Sequence, residues 1–394
     1  MTMSKLRILA LFTNFDYINP NPVYIKNGLT RFFDVVYYGP GYSKVYTDRV
    51  DKVYKDCGPF DAVMIDTFPL FFKERKEFQR NIDNTTLCLK YSRRFHYEYP
   101  NYPMGLYNID APLFLYPAWF DPYAVDDMTI EIIRKFPGLV IGSIGKEYAA
   151  GRDEILKDVV GPDARMIYGR TIKELVEEIG DLKKLITFPF SIQEKEYLQP
   201  KRHKLASLVI PGVRYTCRQK AVELLKPVQD QTGIKVLTQE NISNLFIHWT
   251  SINKYRNWRH RKCINSSKYA YTCGSMYRYP LRKFFEIPAA GSLLIAHPFK
   301  NHELFGFKHM QNFVSAEPEE ILGVIEMLED DADMYDKIVS EGQRLIKEKH
   351  MTTVRLSQLR KIVESVVNND YDDYMWVDGD LIIKDRSGKM IVAK

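Results

Sequence analysis

An alternation of short apolar runs with amphipathic stretches is the feature that most restricts how this chain can fold. Near the N-terminus, apolar runs at residues 6–12, 34–38 and 61–66 are separated by stretches at 22–33 and 46–54 that have helical periodicity. This order predicts a β-α-β-α-β unit, in which parallel strands are covered by helices on both faces. The sequence therefore predicts an α/β fold.

A polar, proline-containing break divides this alternation into two parts. Pro189, Pro200 and the segment 193–204 have the composition of a connection between lobes. A new strand at 205–210 and a helix at 216–225 then restart the rhythm. A chain of 394 residues is long enough for two such domains.

The C-terminal segment has a different pattern from the rest of the chain. Two short apolar runs, at 381–383 and 390–392, flank a turn that contains Gly388, and this predicts a β-hairpin. The predicted organisation is thus an N-terminal lobe, a C-terminal lobe and a hairpin tail, with boundaries at residues 1–192, 193–369 and 370–394.

Composition and charge narrow the classes of protein further. A net charge of +6 favours anionic ligands but is far below that of a protein that coats nucleic acid. The five cysteines are widely spaced without a C-x-x-C motif, which favours a reducing, cytoplasmic location over a disulfide framework or a zinc site. No run approaches the roughly 20 apolar residues that span a bilayer, so we expect any membrane contact to be peripheral.

The stretch from Tyr277 to Ile295 contains the clearest functional pattern. Pro280 marks a helix start, and Arg282 and Lys283 fall in the first turn, where free N–H groups and the helix dipole favour phosphate. Glu286 lies one turn further on, where a carboxylate can accept hydrogen bonds from a ribose diol. Spacing alone is equally consistent with an ordinary Arg282–Glu286 ion pair on a solvated helix.

The segment Phe285-Glu-Ile-Pro-Ala-Ala-Gly-Ser-Leu-Leu-Ile295 resembles the donor-binding helix of GT-B glycosyltransferases, in the C-terminal module shared by CgeB-like and family 1-like members. The resemblance continues through Glu317-Pro-Glu-Glu-Ile321 to His350-Met-Thr-Thr-Val-Arg355 and covers roughly residues 185–360. It implies a GT-B fold, with two Rossmann-like lobes facing a cleft. The second lobe would bind a nucleoside diphosphate sugar and the first lobe the acceptor.

The resemblance also implies roles for individual residues. Glu286 would bind the ribose, while Arg282, the helix N-terminus near Leu281 and Arg218 would hold the diphosphate of a UDP- or GDP-sugar. Gly212 opens the strand-to-helix turn before Arg218, where backbone N–H groups can also face a phosphate. No cofactor beyond this co-substrate is expected.

Arg278 marks a departure from the family pattern. Many retaining members carry two glutamates spaced E-x(7)-E, and Arg278 stands where the first of them would be. It either neutralises diphosphate charge or forms a surface pair. The stereochemical outcome, retaining or inverting, therefore stays open.

Three residues of the first lobe are candidates for acid-base catalysis: Asp16, His96 and Asp121. Asp16 follows the first strand, and the loops at strand ends are where α/β sheets bind ligands. Each also has a structural interpretation, as a turn former, a hydrogen-bonded surface histidine or a cap. A cluster of tyrosines between residues 91 and 119 suggests that this lobe holds the acceptor.

Three D-x-D sequences could suggest a metal, at Asp331–Asp333, Asp370–Asp372 and Asp378–Asp380. All three lie late in the chain, at a helix start or in the tail, and we interpret them as caps and turns. We therefore predict no metal site and a metal-independent reaction.

The predicted function is transfer of a hexosyl or pentosyl group from a nucleotide sugar to a glycan or glycoconjugate acceptor. A sugar-nucleotide epimerase would use the same two lobes. The basic and aromatic segment 254–262 leaves a further alternative, a nucleic-acid-binding or DNA-modifying protein, although such a charge run is more often solvated and we do not expect nucleic acid as a partner.

Overall fold

The structure is a computed structural model, and it describes eleven stretches of the chain. These are residues 5–11, 21–38, 50–66, 139–143, 185–186, 189–201, 203–212, 216–239, 250–274, 281–298 and 302–393. They include strands of both predicted lobes and most of the second lobe.

The first lobe contains a parallel sheet with the strand order β2-β1-β3-β4-β5. Ile8 and Leu9 in β1 and Val63 in the central β3 are fully buried, as expected for strands covered on both faces. The described elements of this lobe are β1 (Arg7–Leu11), α1 (Asn21–Phe32), β2 (Asp34–Tyr38), α2 (Val50–Cys57), β3 (Ala62–Asp66), β4 (Leu139–Ser143) and β5 (Leu185–Ile186).

The second lobe contains another parallel sheet, with the order β10-β9-β8-β6-β7. Its two faces belong to separate apolar cores, because Ala270 and Leu294 point to one side while Tyr269 and Ile295 point to the other. The elements are β6 (Ala206–Pro211), α3 (Thr216–Leu225), α4 (Gln229–Thr232), β7 (Val236–Gln239), α5 (Thr250–Asn265), β8 (Ser267–Thr272), α6 (Arg282–Ala289), β9 (Leu293–Ala296), β10 (Val314–Ser315), α7 (Ile321–Asp330), α8 (Ala332–Lys349) and α9 (Thr352–Val367).

The last long helix, α9, returns to the first lobe. It packs against α1, where Gly28 leaves room for the side chain of Leu356. At the start of α9, the Thr352 hydroxyl lies 3.0 Å from that of Ser191, and the Ile192 N–H donates to the His350 carbonyl. The segment that joins the lobes is therefore fixed to the chain that re-enters the first lobe.

The tail forms a third sheet, of antiparallel strands β11 (Tyr371–Val377), β12 (Asp380–Asp385) and β13 (Met390–Val392). The predicted hairpin is β12–β13, and β11 was not predicted. Asp378 and Gly379 both have positive φ, 51° and 81°, and form the tight turn between β11 and β12. Buried Arg355 lies 4.6 Å from the Trp376 ring centroid and so ties this sheet to α9.

These three sheets confirm the predicted fold class, with two parallel α/β lobes and an antiparallel extension. Within the described residues, no helix combines the length and the apolar character needed to cross a membrane.

Candidate functional site

The helix α6 begins and ends close to where the sequence predicted. Leu281 is its N-cap, with extended φ and ψ of −72° and 165°, so Arg282 and Lys283 form the first turn. The apolar side chains Phe284 and Phe285 are fully buried and fix the helix against the core. Gly291 ends this region with a φ of 72°, a conformation that disfavours any residue with a Cβ.

Two cationic side chains meet at the turn that follows β6. Gly212 has a φ of 92°, and a Cβ built there would lie 2.8 Å from Lys283 Nζ and 3.1 Å from Arg218 Nη1. Arg218 is 1% exposed and donates from Nη1 to the Pro211 carbonyl at 3.3 Å. The predicted residues Gly212 and Arg218 therefore converge with α6, and Gly212 is the residue type that this close approach requires.

Lys283 is a partly buried cation whose protonation depends on its surroundings. Within the described part of the chain it forms neither an ion pair nor a hydrogen bond. Burial, with Arg218 and Arg282 nearby, lowers its pKa to about 7. An ammonium group placed among other cations gains most from an anionic ligand, because that ligand would both pair with it and raise its pKa.

Arg282 belongs to a separate ion-pair network on the other side of the helix turn. Its Nη2 donates to Glu196 Oε1 at 2.6 Å, and its Nη1 contacts Glu286 Oε1. Glu196 also accepts from Arg261 Nη1 at 3.2 Å, and Glu286 Oε2 lies 3.4 Å from His260 Nε2. The Arg282–Glu286 pair that spacing allowed is therefore present, but it is buried rather than solvated, since these residues are 9% and 7% exposed.

The charges of this network cancel internally. The pKa of Glu196 is raised by burial, but Arg282 and then Arg261 outweigh that effect and hold it below its usual value. Burial and the neighbouring cations keep the pKa of His260 well below its usual value, so the ring is neutral near pH 7. Two carboxylates thus balance two guanidiniums, whereas Lys283 has no anionic partner in the part of the chain that the structure describes.

Four predicted site residues are not described by the structure. Asp16, His96, Asp121 and Arg278 lie outside the described residues, and their assignments stay predictions. Three members of the network, Glu196, His260 and Arg261, were missed. Glu196 is 86 residues from Arg282 along the chain, and His260 lies within a basic segment that suggested only surface contact.

Two of the D-x-D sequences contain the cap and the turn residue that we predicted, whereas the third, Asp370–Asp372, runs into strand β11. The Asp331 carboxylate accepts from the Met334 N–H at 2.9 Å at the start of α8. Asp378 lies in the tight turn before β12, and Asp372 on β11 pairs with Lys384 at 3.0 Å. Among the described residues, no group of three or more histidine, cysteine, aspartate or glutamate side chains is placed to hold a metal ion.

Comparison with known proteins agrees with the predicted family. Residues 218–361 match the model of a family described as glycosyl transferase-like. This match includes α6, Arg218, Lys283 and Glu286, and it runs from α3 into α9. This part of the chain is therefore similar to a glycosyl transferase-like family.

Solved structures similar to the chain include proteins from Anabaena, Rickettsia africae and Francisella tularensis. HepE from Anabaena, in complex with UDP-glucose, has 11% identity and a TM-score of 0.45, over 91% of this chain and 100% of its own. A glycosyltransferase from Rickettsia africae has 11% identity and a TM-score of 0.47, over 93% and 99%. The C-terminal domain of LpcC from Francisella tularensis has 13% identity and a TM-score of 0.28, over 41% and 98%. A search of curated proteins gave no match.

Proposed function

We propose that the protein transfers a sugar from a nucleoside diphosphate sugar, with UDP- or GDP-sugars as the first donors to test, to a glycan or glycoconjugate acceptor. The diphosphate would bind at the start of α6, between Lys283 and Arg218, and the ribose would bind at Glu286. The acceptor would be held by the first lobe, where Asp16, His96 and Asp121 remain the proposed acid-base candidates.

The observation that carries this proposal is the convergence of two cationic side chains near the N-terminus of α6, Lys283 and Arg218, of which Lys283 has no anionic partner among the described residues. Transfer breaks the bond between the anomeric carbon and the diphosphate oxygen, so negative charge develops on the leaving diphosphate. Fixed cations and helix N–H groups stabilise that charge without reorganising, which is the largest catalytic contribution in many enzymes. Lys283 and Arg218 would supply the cations, and Gly212 leaves the space that their side chains occupy beside the backbone.

We propose a supporting role for Arg282 beside its predicted contact with the diphosphate. Its guanidinium contacts both Glu196 and Glu286 and so holds the Glu286 carboxylate in one orientation. Each Glu286 oxygen can still accept another hydrogen bond, because a carboxylate oxygen has more than one acceptor site. A ribose diol can therefore bind while the network remains intact.

The ribose assignment predicts a specific loss of affinity. In Glu286→Gln, binding of a donor nucleotide should weaken by about tenfold, because a charged acceptor of hydrogen bonds is replaced by a neutral one. The 2′-deoxy nucleotide should bind wild type more weakly than the ribonucleotide does, by a similar factor. Its affinity should differ little between wild type and Glu286→Gln. Calorimetric titration of both ligands measures this coupling, with Glu364→Gln on α9 as the control.

Equal losses for the ribo- and deoxyribonucleotides in Glu286→Gln would remove this residue from the ribose site.

Sugar transfer itself is tested by product analysis. A glycosylated acceptor or free sugar with nucleoside diphosphate supports transfer, whereas an isomerised nucleotide sugar would identify an epimerase.

The lowered pKa of Lys283 predicts that donor binding takes up a proton. Below about pH 7 the free lysine is protonated, and above it the lysine is neutral. Bound diphosphate raises this pKa, so affinity should fall as pH rises above 7, by up to tenfold per unit. Titration of a nucleotide sugar, which has no proton that titrates near neutrality, in buffers of different ionisation enthalpy at pH 8 measures this uptake. Affinity that stays constant from pH 6 to 9 would contradict the assignment.

A further inference from the structure

The face of α5 opposite the site carries an exposed basic and aromatic stripe. Tyr255, Trp258, Arg259 and Lys262 share one helix face, because they are spaced by three or four residues. Tyr255 is 58% exposed and Trp258 49%, and their rings stack on each other with centroids 5.8 Å apart. Arg259 and Lys262 are also exposed.

The stripe continues beyond the end of the helix. Ser266, one residue after α5, accepts a hydrogen bond from Lys201 Nζ at 2.7 Å on its Oγ. Its carbonyl accepts the Leu205 N–H at 2.7 Å, and the Leu205 side chain is 69% exposed. We call this surface the α5 stripe, and it consists of Tyr255, Trp258, Arg259, Lys262, Lys201 and Leu205.

The charge of the α5 stripe has no acidic partner among the described residues. Helix α5 contains no acidic residue. Within the described stretches, Arg259, Lys262 and Lys201 form no ion pair. The inward residues of the same helix, His260 and Arg261, are occupied by Glu286 and Glu196. The site network therefore does not use the stripe, and the proposed function does not explain it.

We propose that the α5 stripe docks the protein on an anionic lipid bilayer. Lysine and arginine near a membrane are attracted to anionic headgroups, and tryptophan and tyrosine favour the interface between headgroups and acyl chains. Leu205 and the apolar faces of the ring pair supply the area that enters the acyl boundary. The chemistry of the partner is a surface with negative headgroups above hydrocarbon.

Lipid accounts for the stripe better than nucleic acid does. Base stacking uses open aromatic faces, whereas Tyr255 and Trp258 already cover one face of each other. The exposed Leu205 side chain can also bury its apolar surface against acyl chains, which nucleic acid does not offer. Since His260 reaches Glu286 from the other side of α5, docking would hold the site about one helix diameter, roughly 10 Å, from the headgroups.

Cosedimentation of the full chain with vesicles tests this proposal. Wild type should bind equimolar phosphatidylglycerol and phosphatidylcholine vesicles, less so at high salt, and should not bind phosphatidylcholine alone. The Arg259→Gln/Lys262→Gln variant should lose about 25-fold in affinity, about fivefold for each charge. Leu205→Ser should lose up to tenfold through the lost apolar contact.

Matched variants elsewhere on the second lobe serve as controls. Lys337→Gln/Lys347→Gln removes two exposed lysines of α8, and Met327→Ser removes an exposed apolar side chain of α7. Both should bind vesicles as wild type does. Wild type that fails to bind anionic vesicles, or control variants that lose as much as the stripe variants, would overturn the proposal. Single-stranded DNA binding that depends on the stripe, without vesicle binding, would assign it to nucleic acid instead.

Discussion

Replacing Lys283 with methionine is expected to weaken binding of a donor nucleoside diphosphate by about 100-fold, the size of effect that charged hydrogen bonds to a phosphate give. The same variant should be as stable as wild type or more so. Lys283 has no anionic partner in the described structure, so its removal relieves the cost of burying a cation beside Arg218. Calorimetry measures the affinity, and denaturant unfolding measures the stability.

The opposite directions of these two effects distinguish a ligand-binding lysine from a structural one. A lysine that merely supported the fold would lose stability and affinity together. Lys337→Met, on the exposed face of α8, is the matched control and should change neither quantity. Unchanged affinity in a folded Lys283→Met protein would refute the proposed diphosphate site.

Replacing Glu196 with glutamine should lower the free energy of unfolding by about 3 kcal/mol, the typical cost of removing one partner from a buried ion pair. Glu196 is 2% exposed and accepts from both Arg282 and Arg261. Its loss leaves two guanidiniums with only Glu286 to balance them. Urea unfolding measures the change, and Glu364→Gln in a partly exposed pair on α9 should cost about 0.5 kcal/mol or less.

The stability difference at Glu196 should depend on pH in a defined direction. Because its folded pKa lies below the unfolded value, its ionised form stabilises the protein at neutral pH. That stabilisation is lost as pH falls from the ordinary carboxyl range through the folded pKa. The difference between wild type and Glu196→Gln should therefore shrink in acid, and a constant difference would show that charge pairing is not the cause.

The parts of the fold that could be predicted are those with local causes. The helix α6 follows from its position after Pro280 and from Gly291 at its end, and α3 was predicted at the bounds it has, Thr216–Leu225. The hairpin of the tail follows from two apolar runs around Gly388. In each case a turn residue and the hydrophobic period specify the element without help from distant residues.

The parts of the site that could not be predicted depend on contacts between distant segments. Nothing local indicates that Glu196, in the connection between lobes, reaches Arg282. The same is true of His260, whose basic neighbours suggested a solvated surface although its ring faces Glu286. The Arg282–Glu286 spacing is consistent with both a ligand site and an ion pair, and only the folded structure, in which these residues are 9% and 7% exposed, shows that the pair is buried.

Calorimetric titration of wild type and Lys283→Met with UDP, GDP and ADP tests the central claim most directly, that the second lobe binds a nucleoside diphosphate at the start of α6. The account predicts that one of the three binds wild type preferentially and that Lys283→Met, still folded, loses that binding by about 100-fold. Binding of none of them, or equal binding by both proteins, would contradict it.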